Sequence, residues 1–163
     1  MKMTEGGYAV LRKHFGKLST IQVKNIELIV EACNKHNLEY NQAAYALATA
    51  WHETNRTMLP VIEAYWLSEA WRKANLRYYP FYGRGFVQLT WDYNYKKAGV
   101  KLGLGDALYL NPKLAQDPQY AAEILVLGSK EGWFTGKKLS DYIGKVERHY
   151  EAARRIINGV DKA

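Results

Sequence analysis

The chain has 163 residues, a length that normally forms one domain around a single core. Its formal net charge of +7 favours polyanionic partners such as nucleic acid, anionic lipid or a bacterial wall polymer, without choosing among them. Cys33 is the one cysteine, which excludes an internal disulfide and is typical of folding in a reducing cytosol.

The sequence begins without an apolar run and small-residue cleavage site, and no stretch approaches the roughly 20 apolar residues of a membrane span. We therefore expect synthesis in the cytoplasm, no signal peptide and no stable membrane insertion. Cationic pairs are dispersed along the chain and form no evident stripe, so no nucleic-acid partner is expected. These pairs are Arg72-Lys73, Lys96-Lys97, Lys137-Lys138 and Arg154-Arg155.

Two helices are predicted in the first third of the chain. A capping-box pattern over residues 19–22 precedes apolar residues at helical spacing, which predicts a helix over about 20–37. Asn41 is the predicted N-cap of a second helix, which carries several alanines on its apolar face and ends near Glu53.

The segment 54–82 has a weaker pattern, interrupted by Pro60 and Pro80, and predicts a long functional loop that carries one short helix. Residues 86–89 are the best strand candidate, and 91–99 are predicted to form a helix closed by glycine.

Two further helices are predicted toward the end of the chain. Asp117 and Pro118 supply the N-cap and first-turn proline of a helix that runs toward Gly132. Residues 140–158 predict a last helix, with Gly159 after it. We therefore expect a single, mainly α-helical domain over 1–163, with at most a small β-hairpin or sheet.

Three glutamates in the middle of the chain are candidates for acid-base chemistry. Hydrolysis of a glycosidic bond needs a protonated acid for the leaving oxygen and a second carboxylate that activates water or attacks carbon. Glu53 ends an apolar helix next to Trp51, so desolvation would favour the protonated form that an acid requires. Glu63, which we favour, or Glu69 would supply the ionised partner from the opposite wall of a cleft.

Polar side chains also accompany the glycine-rich tract that follows. Arg84 lies between two glycines, where the backbone can approach a ligand and the guanidinium can reach a carboxylate such as Glu53. Gln88 and Thr90 would share one face of a strand, where an amide could bind an N-acetyl group and a hydroxyl could hold a water. A hairpin turn and a solvated polar face are the alternatives.

A metal site is not expected. His52-Glu53 begins like a zinc-protease motif, but Arg56 occupies the position of the second histidine. We therefore predict no metal and no cofactor. The remaining histidines, which show no ligand spacing, are His14, His36 and His149.

Several tracts, in order along 43–159, together resemble a known family. The chain is similar to glycoside hydrolase family 19, the chitinase-like group that includes bacteriophage endolysins. The tracts that carry the resemblance are His-Glu-Thr at 52–54, Tyr-Gly-Arg-Gly-Phe-Val-Gln-Leu-Thr-Trp at 82–91, Asn-Tyr at 94–95, Asn-Pro-Lys-Leu-Ala at 111–115 and Arg-Ile-Ile-Asn-Gly at 155–159.

The resemblance implies a lysozyme-like, two-lobed helical fold and an inverting mechanism. In it Glu53 matches the general acid, and Thr90 matches the hydroxyl that positions water. Glu63 matches the base of the phage-type members, while the shortened stretch between the first two tracts keeps Glu69 as the alternative base. The residues implied to bind sugar or to support the site are Gln88, Asn94, Asn158, Tyr82 and Arg84.

Chitin and peptidoglycan both present β-1,4-linked N-acetylated sugars, so these residues do not separate the two substrates. A short basic chain without disulfides suits the compact phage type, stored in the host cytoplasm and released to an anionic wall. We therefore expect a monomeric endolysin with N-acetylmuramidase activity, acting on peptidoglycan in the periplasm for cell lysis, without a separate wall-binding module. A chitinase and a non-catalytic glycan-binding protein are the alternatives.

Overall fold

The computed structural model describes residues 1–159 of the chain, and its fold is mainly α-helical, as predicted. The expected domain over 1–163 extends into residues that lie outside this range. The helices, in chain order, are α1 (Glu5–Phe15), α2 (Thr20–Lys35), α3 (Tyr40–Glu53), α4 (Glu69–Asn75), α5 (Asp92–Lys101), α6 (Ala107–Leu110), α7 (Pro118–Glu131), α8 (Tyr150–Ala153) and α9 (Arg155–Asn158). Short 3₁₀ helices occupy Pro112–Gln116 and Leu139–Asp141.

The core is built on α2, which packs extensively against α7 and also contacts α3. Ile26 and Ile29 of α2 and Leu125 of α7 are completely buried. Ala46 and Ala50 of α3 are equally buried, and their small side chains allow the helix backbone to approach the core closely. Packing of this kind orients α3, whose last residue is Glu53.

The residues predicted to cap α2 and α7 do so in the structure. At α2 the Ser19 hydroxyl accepts from the Gln22 backbone N–H, and the Gln22 side chain accepts from the Ser19 N–H, which is a complete capping box. Asp117 caps α7, and Gly132 ends it in the left-handed conformation. Cys33 is a buried free thiol, and burial raises its pKa to about 12.

A two-stranded antiparallel sheet joins the middle segments. Strand β1 (Val61–Ile62) pairs with β2 (Arg84–Gly85), with Val61 opposite Gly85. The prediction of a strand over 86–89 is wrong, because residues 86–88 form a turn that is closed by reciprocal backbone hydrogen bonds between Arg84 and Leu89. Gly85 has φ +89°, and a Cβ there would lie 2.9 Å from the Ala115 carbonyl oxygen.

The prediction of one last helix over 140–158 is also wrong. The chain forms a small hairpin closed by a bridge between Ile143 and Arg148, and then the short helices α8 and α9. Side chains at the start of α3 bind two carbonyls of this hairpin: Asn41 donates to Gly144 O, and Gln42 Nε2 donates to Ile143 O at 2.8 Å.

Some helices differ from prediction. Asn41 is not the N-cap of α3, because Glu39 occupies that position. Helix α5 continues past Gly99 to Lys101, and α1, which contributes no buried residue, was not predicted. Among the described residues, no helix has both the length and the apolar composition needed to cross a membrane.

Candidate active site

Glu53 lies at the C-terminal end of α3 and is half-buried. It lines an open cavity of about 650 Å³ together with Tyr45 and Thr49 of the same helix and Arg154 and Asn158 from the last part of the described chain. Within residues 1–159 its carboxyl group makes no hydrogen bond or ion pair. The cavity therefore brings Glu53 and Asn158, two residues singled out from the sequence, to one surface with the carboxyl group available to a ligand.

Tyr45 shapes the wall of this cavity. Its hydroxyl donates to the carbonyl of Ala153 at 2.7 Å, which ties α3 to α8. Burial raises the pKa of Tyr45, and the negative charge of Glu53 adds to the rise. The phenol therefore stays neutral near pH 7 and remains a hydrogen-bond donor.

Trp51 does not flank the Glu53 carboxyl, contrary to the sequence-based interpretation. Residues two apart on a helix point about 200° apart. The Trp51 ring stacks on Phe15 of α1, with ring centroids 3.9 Å apart and an interplanar angle of 9°. Any desolvation of Glu53 therefore comes from the cavity walls and not from the indole.

A rigid turn connects α3 to β1. The buried Thr54 hydroxyl donates to Ala50 O at 2.7 Å and accepts from the Met58 N–H at 2.9 Å. Asn25 of α2 donates to Met58 O at 2.7 Å. Core residues hold both ends of this turn. The turn therefore fixes the direction in which the chain continues from Glu53 toward Glu63.

Glu63 follows β1 and is held by two donors. Tyr78 donates its hydroxyl to Oε1 at 2.6 Å, and the Gly83 backbone N–H donates to Oε2 at 3.0 Å. Burial raises the pKa of Tyr78 to about 12, and the hydrogen bond and charge of Glu63 act in the same direction. The phenol therefore keeps its proton near neutral pH and fixes the carboxylate in place.

Glu69, the alternative base, sits in a different environment. It begins α4, is exposed, and accepts from Arg72 Nε at 3.0 Å and from the Tyr82 hydroxyl at 2.9 Å. Burial acts to raise the pKa of Glu69, but hydrogen bonds from Tyr82 and Arg72 outweigh it and lower the pKa. A guanidinium therefore pairs with the Glu69 carboxylate, whereas the Glu63 carboxylate is held by neutral donors.

Arg84 supports the backbone of the glycine-rich tract. Its Nη1 donates to Pro80 O at 2.9 Å, to Tyr82 O at 3.2 Å and to the Tyr95 hydroxyl at 2.9 Å. The guanidinium carbon lies 3.7 Å from the centroid of the Tyr82 ring, which is a close cation–π contact. None of these partners is a carboxylate, so Arg84 does not orient Glu53 as the sequence suggested.

Gln88, Thr90 and Asn94 are linked in one chain of hydrogen bonds. Gln88 Nε2 donates to Val61 O at 3.1 Å, Thr90 Oγ1 donates to Gln88 O at 2.7 Å, and Asn94 Nδ2 donates to Thr90 O at 2.9 Å. Because Gln88 lies in the turn, the argument that Gln88 and Thr90 share a strand face is wrong. The Thr90 hydroxyl is linked to Gln88 through the Gln88 backbone carbonyl instead.

Backbone strain is concentrated beside the candidate residues. Ala64, which follows Glu63, has φ +50°, while Gln88 and Trp91 have φ +55° and +75°. A non-glycine residue in this region costs on the order of 1–3 kcal/mol, and such strain clusters at functional sites. These residues flank the Glu63 carboxylate and the Thr90 hydroxyl.

Sequence reasoning missed several residues that the fold brings to the site. Tyr78 holds Glu63, while Tyr45, Thr49 and Arg154 line the cavity of Glu53. Nothing in their spacing marks them, since Tyr78 is one of five tyrosines in 78–95 and Arg154 belongs to an ordinary cationic pair. Among residues 1–159, no group of three His, Cys, Asp or Glu side chains is placed to hold a metal ion.

The described helices and small sheet define a class: the chain has the fold of family 19 chitinases. Chitinase C from Streptomyces griseus is 23% identical, with a TM-score of 0.62 over 96% of this chain and 66% of that chain. A bacterial family 19 chitinase is 24% identical, with a TM-score of 0.57 over 99% of this chain and 83% of that one. A class IV chitinase from Zea mays is 20% identical, with a TM-score of 0.53 over 97% and 80%.

The chain spans just under two thirds of the length of chitinase C. The comparisons with family models and with curated protein sequences give no match. The resemblance predicted from the short tracts is therefore confirmed at the level of the fold.

Proposed function

We propose that the protein is a glycoside hydrolase that cleaves β-1,4 bonds between N-acetylated sugars, with Glu53 as general acid and Glu63 as general base. The observation that carries this proposal is the contrast between the two carboxyl groups. Glu53 faces an open cavity and makes no hydrogen bond or ion pair within the described part of the chain, whereas Glu63 is fixed by Tyr78 and Gly83. An acid must be free to reach the leaving oxygen, and a base must be ionised and oriented.

In this mechanism Glu53 gives its proton to the bridging oxygen as the glycosidic bond breaks. Glu63 takes a proton from water, and the water oxygen forms the new bond to the anomeric carbon from the opposite face. Thr90, whose hydroxyl belongs to the Gln88–Asn94 network, helps to orient that water. Proton exchange with solvent then restores both carboxyl groups. Such an inverting reaction requires carboxyl groups about 6.5 to 9.5 Å apart, with room for water between them.

We propose peptidoglycan as the substrate and N-acetylmuramidase as the activity, in a phage-type endolysin acting as a monomer. The formal charge of +7 supports this choice, because it attracts the enzyme to an anionic wall. Under this proposal the protein is made in the host cytoplasm and reaches the wall on lysis. The second candidate is a chitinase, which the names of the structurally similar proteins favour.

The deciding experiment compares the protein with its Glu53→Gln variant on purified Gram-negative peptidoglycan and on chitin. Glu31→Gln is the matched control, since Glu31 is exposed on α2 and does not line the cavity of Glu53. Products are reduced with borohydride and identified by mass spectrometry. We expect reduced N-acetylmuramic acid ends from the parent and the Glu31→Gln control, and none from Glu53→Gln.

Other outcomes separate the alternatives. Reduced glucosamine ends from peptidoglycan would keep the hydrolase and change the bond that is cut, and products from chitin alone would identify a chitinase. No new reducing ends on either polymer, with binding intact, would leave a non-catalytic glycan-binding protein and overturn the proposal.

A further inference from the structure

An aromatic turn follows the candidate base directly. It consists of residues 64–67 and is closed by a hydrogen bond from the Leu67 N–H to Ala64 O at 2.9 Å. Tyr65 and Trp66 at its tip are 62% and 71% exposed. Their rings lie 5.2 Å apart and nearly perpendicular, at 86°.

A buried arginine holds this turn in place. Nη1 of Arg72 donates to Ala64 O and to Leu67 O, each at 2.9 Å, so a single nitrogen binds both ends of the turn. Arg72 is only 6% exposed, although its Nε also binds Glu69 at the surface. The loop therefore keeps one conformation in spite of the buried charge of Arg72 and the strained φ of Ala64, although the tip of the loop is exposed to solvent.

Single exposed aromatic residues are common on protein surfaces, but this arrangement differs in two respects. Two large rings are adjacent, and the backbone beneath them is fixed. An unbound loop gains little from such order, whereas a binding surface gains affinity because its rings are already in position.

We propose that the aromatic turn is a sugar-stacking platform that extends the proposed substrate site beyond Glu63, with the substrate glycan strand as its occupant. This inference rests on the proposed function, because it places the platform on the same glycan. A glycan strand whose scissile bond lies at Glu63 extends past Glu63 over the neighbouring protein surface. The aromatic turn begins at Ala64, the residue that follows Glu63 in the chain. The apolar C–H face of a pyranose ring packs on an indole while its hydroxyl groups stay in water, which suits rings this exposed.

The test measures binding of N-acetylglucosamine oligomers by calorimetry in the Glu53→Gln background, where the ligand is expected to stay intact. Trp66→Ala is compared with Tyr40→Ala as the matched control. Tyr40 is 75% exposed, and it starts α3, about 20 Å along the helix from Glu53. We expect Trp66→Ala to weaken binding of the hexamer roughly tenfold and binding of the dimer less than twofold. Trp66→Phe should keep most of the affinity that Trp66→Ala loses, and Tyr40→Ala should change the affinity for neither oligomer.

Hexamer affinity within twofold of the parent in Trp66→Ala would overturn the platform. So would a change in sedimentation of Trp66→Ala without a change in affinity, since that result assigns the rings to contact between copies of the chain. Hydrolysis is measured separately with Glu53 intact. Binding that depends on Trp66, without hydrolysis, would uphold the platform and refute the proposed function. Hydrolysis, with binding that does not depend on Trp66, would uphold the proposed function and refute the platform.

Discussion

The hydroxyl of Tyr78 donates a 2.6 Å hydrogen bond to Oε1 of Glu63. The Tyr78 ring packs against the Trp91 ring, with centroids 4.9 Å apart, and this contact helps to hold the phenol in position. The second carboxylate oxygen is held by the Gly83 N–H. One side chain and one backbone group thus fix the orientation of this carboxylate.

We predict that Tyr78→Phe lowers kcat roughly ten- to a hundredfold with little change in KM. Loss of a charge-assisted hydrogen bond of about 1.5–3 kcal/mol frees the carboxylate to rotate away from the attacking water. Steady-state kinetics on whichever polymer the product analysis identifies as the substrate measures both constants. Tyr93→Phe is the control, because Tyr93 stacks on Trp91 and its hydroxyl donates no hydrogen bond among the described residues. An unchanged kcat in Tyr78→Phe would exclude this role for Tyr78.

Gly83→Ala should destabilise the site. A Cβ at Gly83 would lie 2.7 Å from Oε1 of Gln88 and 3.1 Å from its Cβ, so the Gln88 side chain must move and its bond to Val61 O is disturbed. We expect a loss of about 1–3 kcal/mol in the free energy of unfolding, seen as a Tm several degrees lower. Gly144→Ala is the matched control, since its nearest neighbour would be 4.0 Å from the new Cβ. Equal Tm values for the two variants would contradict the steric argument.

Glu123 should contribute stability that disappears in acid. Burial acts to raise the pKa of Glu123, but hydrogen bonds from Lys35 and His36 outweigh it and lower the pKa. A carboxyl group whose pKa is lower in the folded state stabilises the protein above the pKa of the unfolded chain, about 4.3, and loses that contribution as pH falls through the folded value. Glu123→Gln should therefore be less stable than the parent at pH 7, with the difference shrinking below about pH 4.

Urea unfolding at pH 7, 5 and 3 measures that difference. Glu31→Gln provides the comparison for an exposed carboxylate of the same helical core, and its effect should be small at every pH. A destabilisation by Glu123→Gln that stays constant from pH 7 to pH 3 would show that the loss comes from packing instead of charge.

The first product should be the α-anomer. Under the proposed mechanism, water held between Glu63 and the sugar attacks the face opposite the departing group, so a β-bond gives an inverted centre. Proton NMR of an N-acetylglucosamine oligomer digest in its first minutes, before mutarotation, distinguishes the anomers. Initial release of the β-anomer would require a retaining mechanism, in which the second carboxylate bonds to carbon directly.

The helical part of the fold was predictable because its signals are local. The capping box at Ser19 and the N-cap of Asp117 each act within a few residues, and both helices begin as expected. The strand predicted over 86–89 failed for the opposite reason. Its apolar residues resemble a strand, but Arg84 bonds back to Leu89, and pairing with distant β1 takes only Arg84–Gly85.

The candidate site was predictable in its residue types and only partly in its contacts. Glu53 and Asn158 line one cavity, and Glu63 lies beside the glycine-rich tract. Arg84 was expected to reach a carboxylate. Its side chain is buried instead, and it binds backbone carbonyls and a tyrosine hydroxyl. No spacing rule identifies which acceptors a buried guanidinium will find.

The sequence by itself determined where α2 and α7 begin, the apolar face of α3 with Glu53 at its end, and the short tracts that resemble one family. These properties depend on neighbours within a turn or two of helix. Only the tertiary structure decided that Asn41 and Gln42 bind the carbonyls of residues 143–144, where a hairpin replaces the predicted helix, and that Tyr78 holds Glu63. Each of these contacts joins residues far apart in the chain, so packing of the core and not local preference selects them.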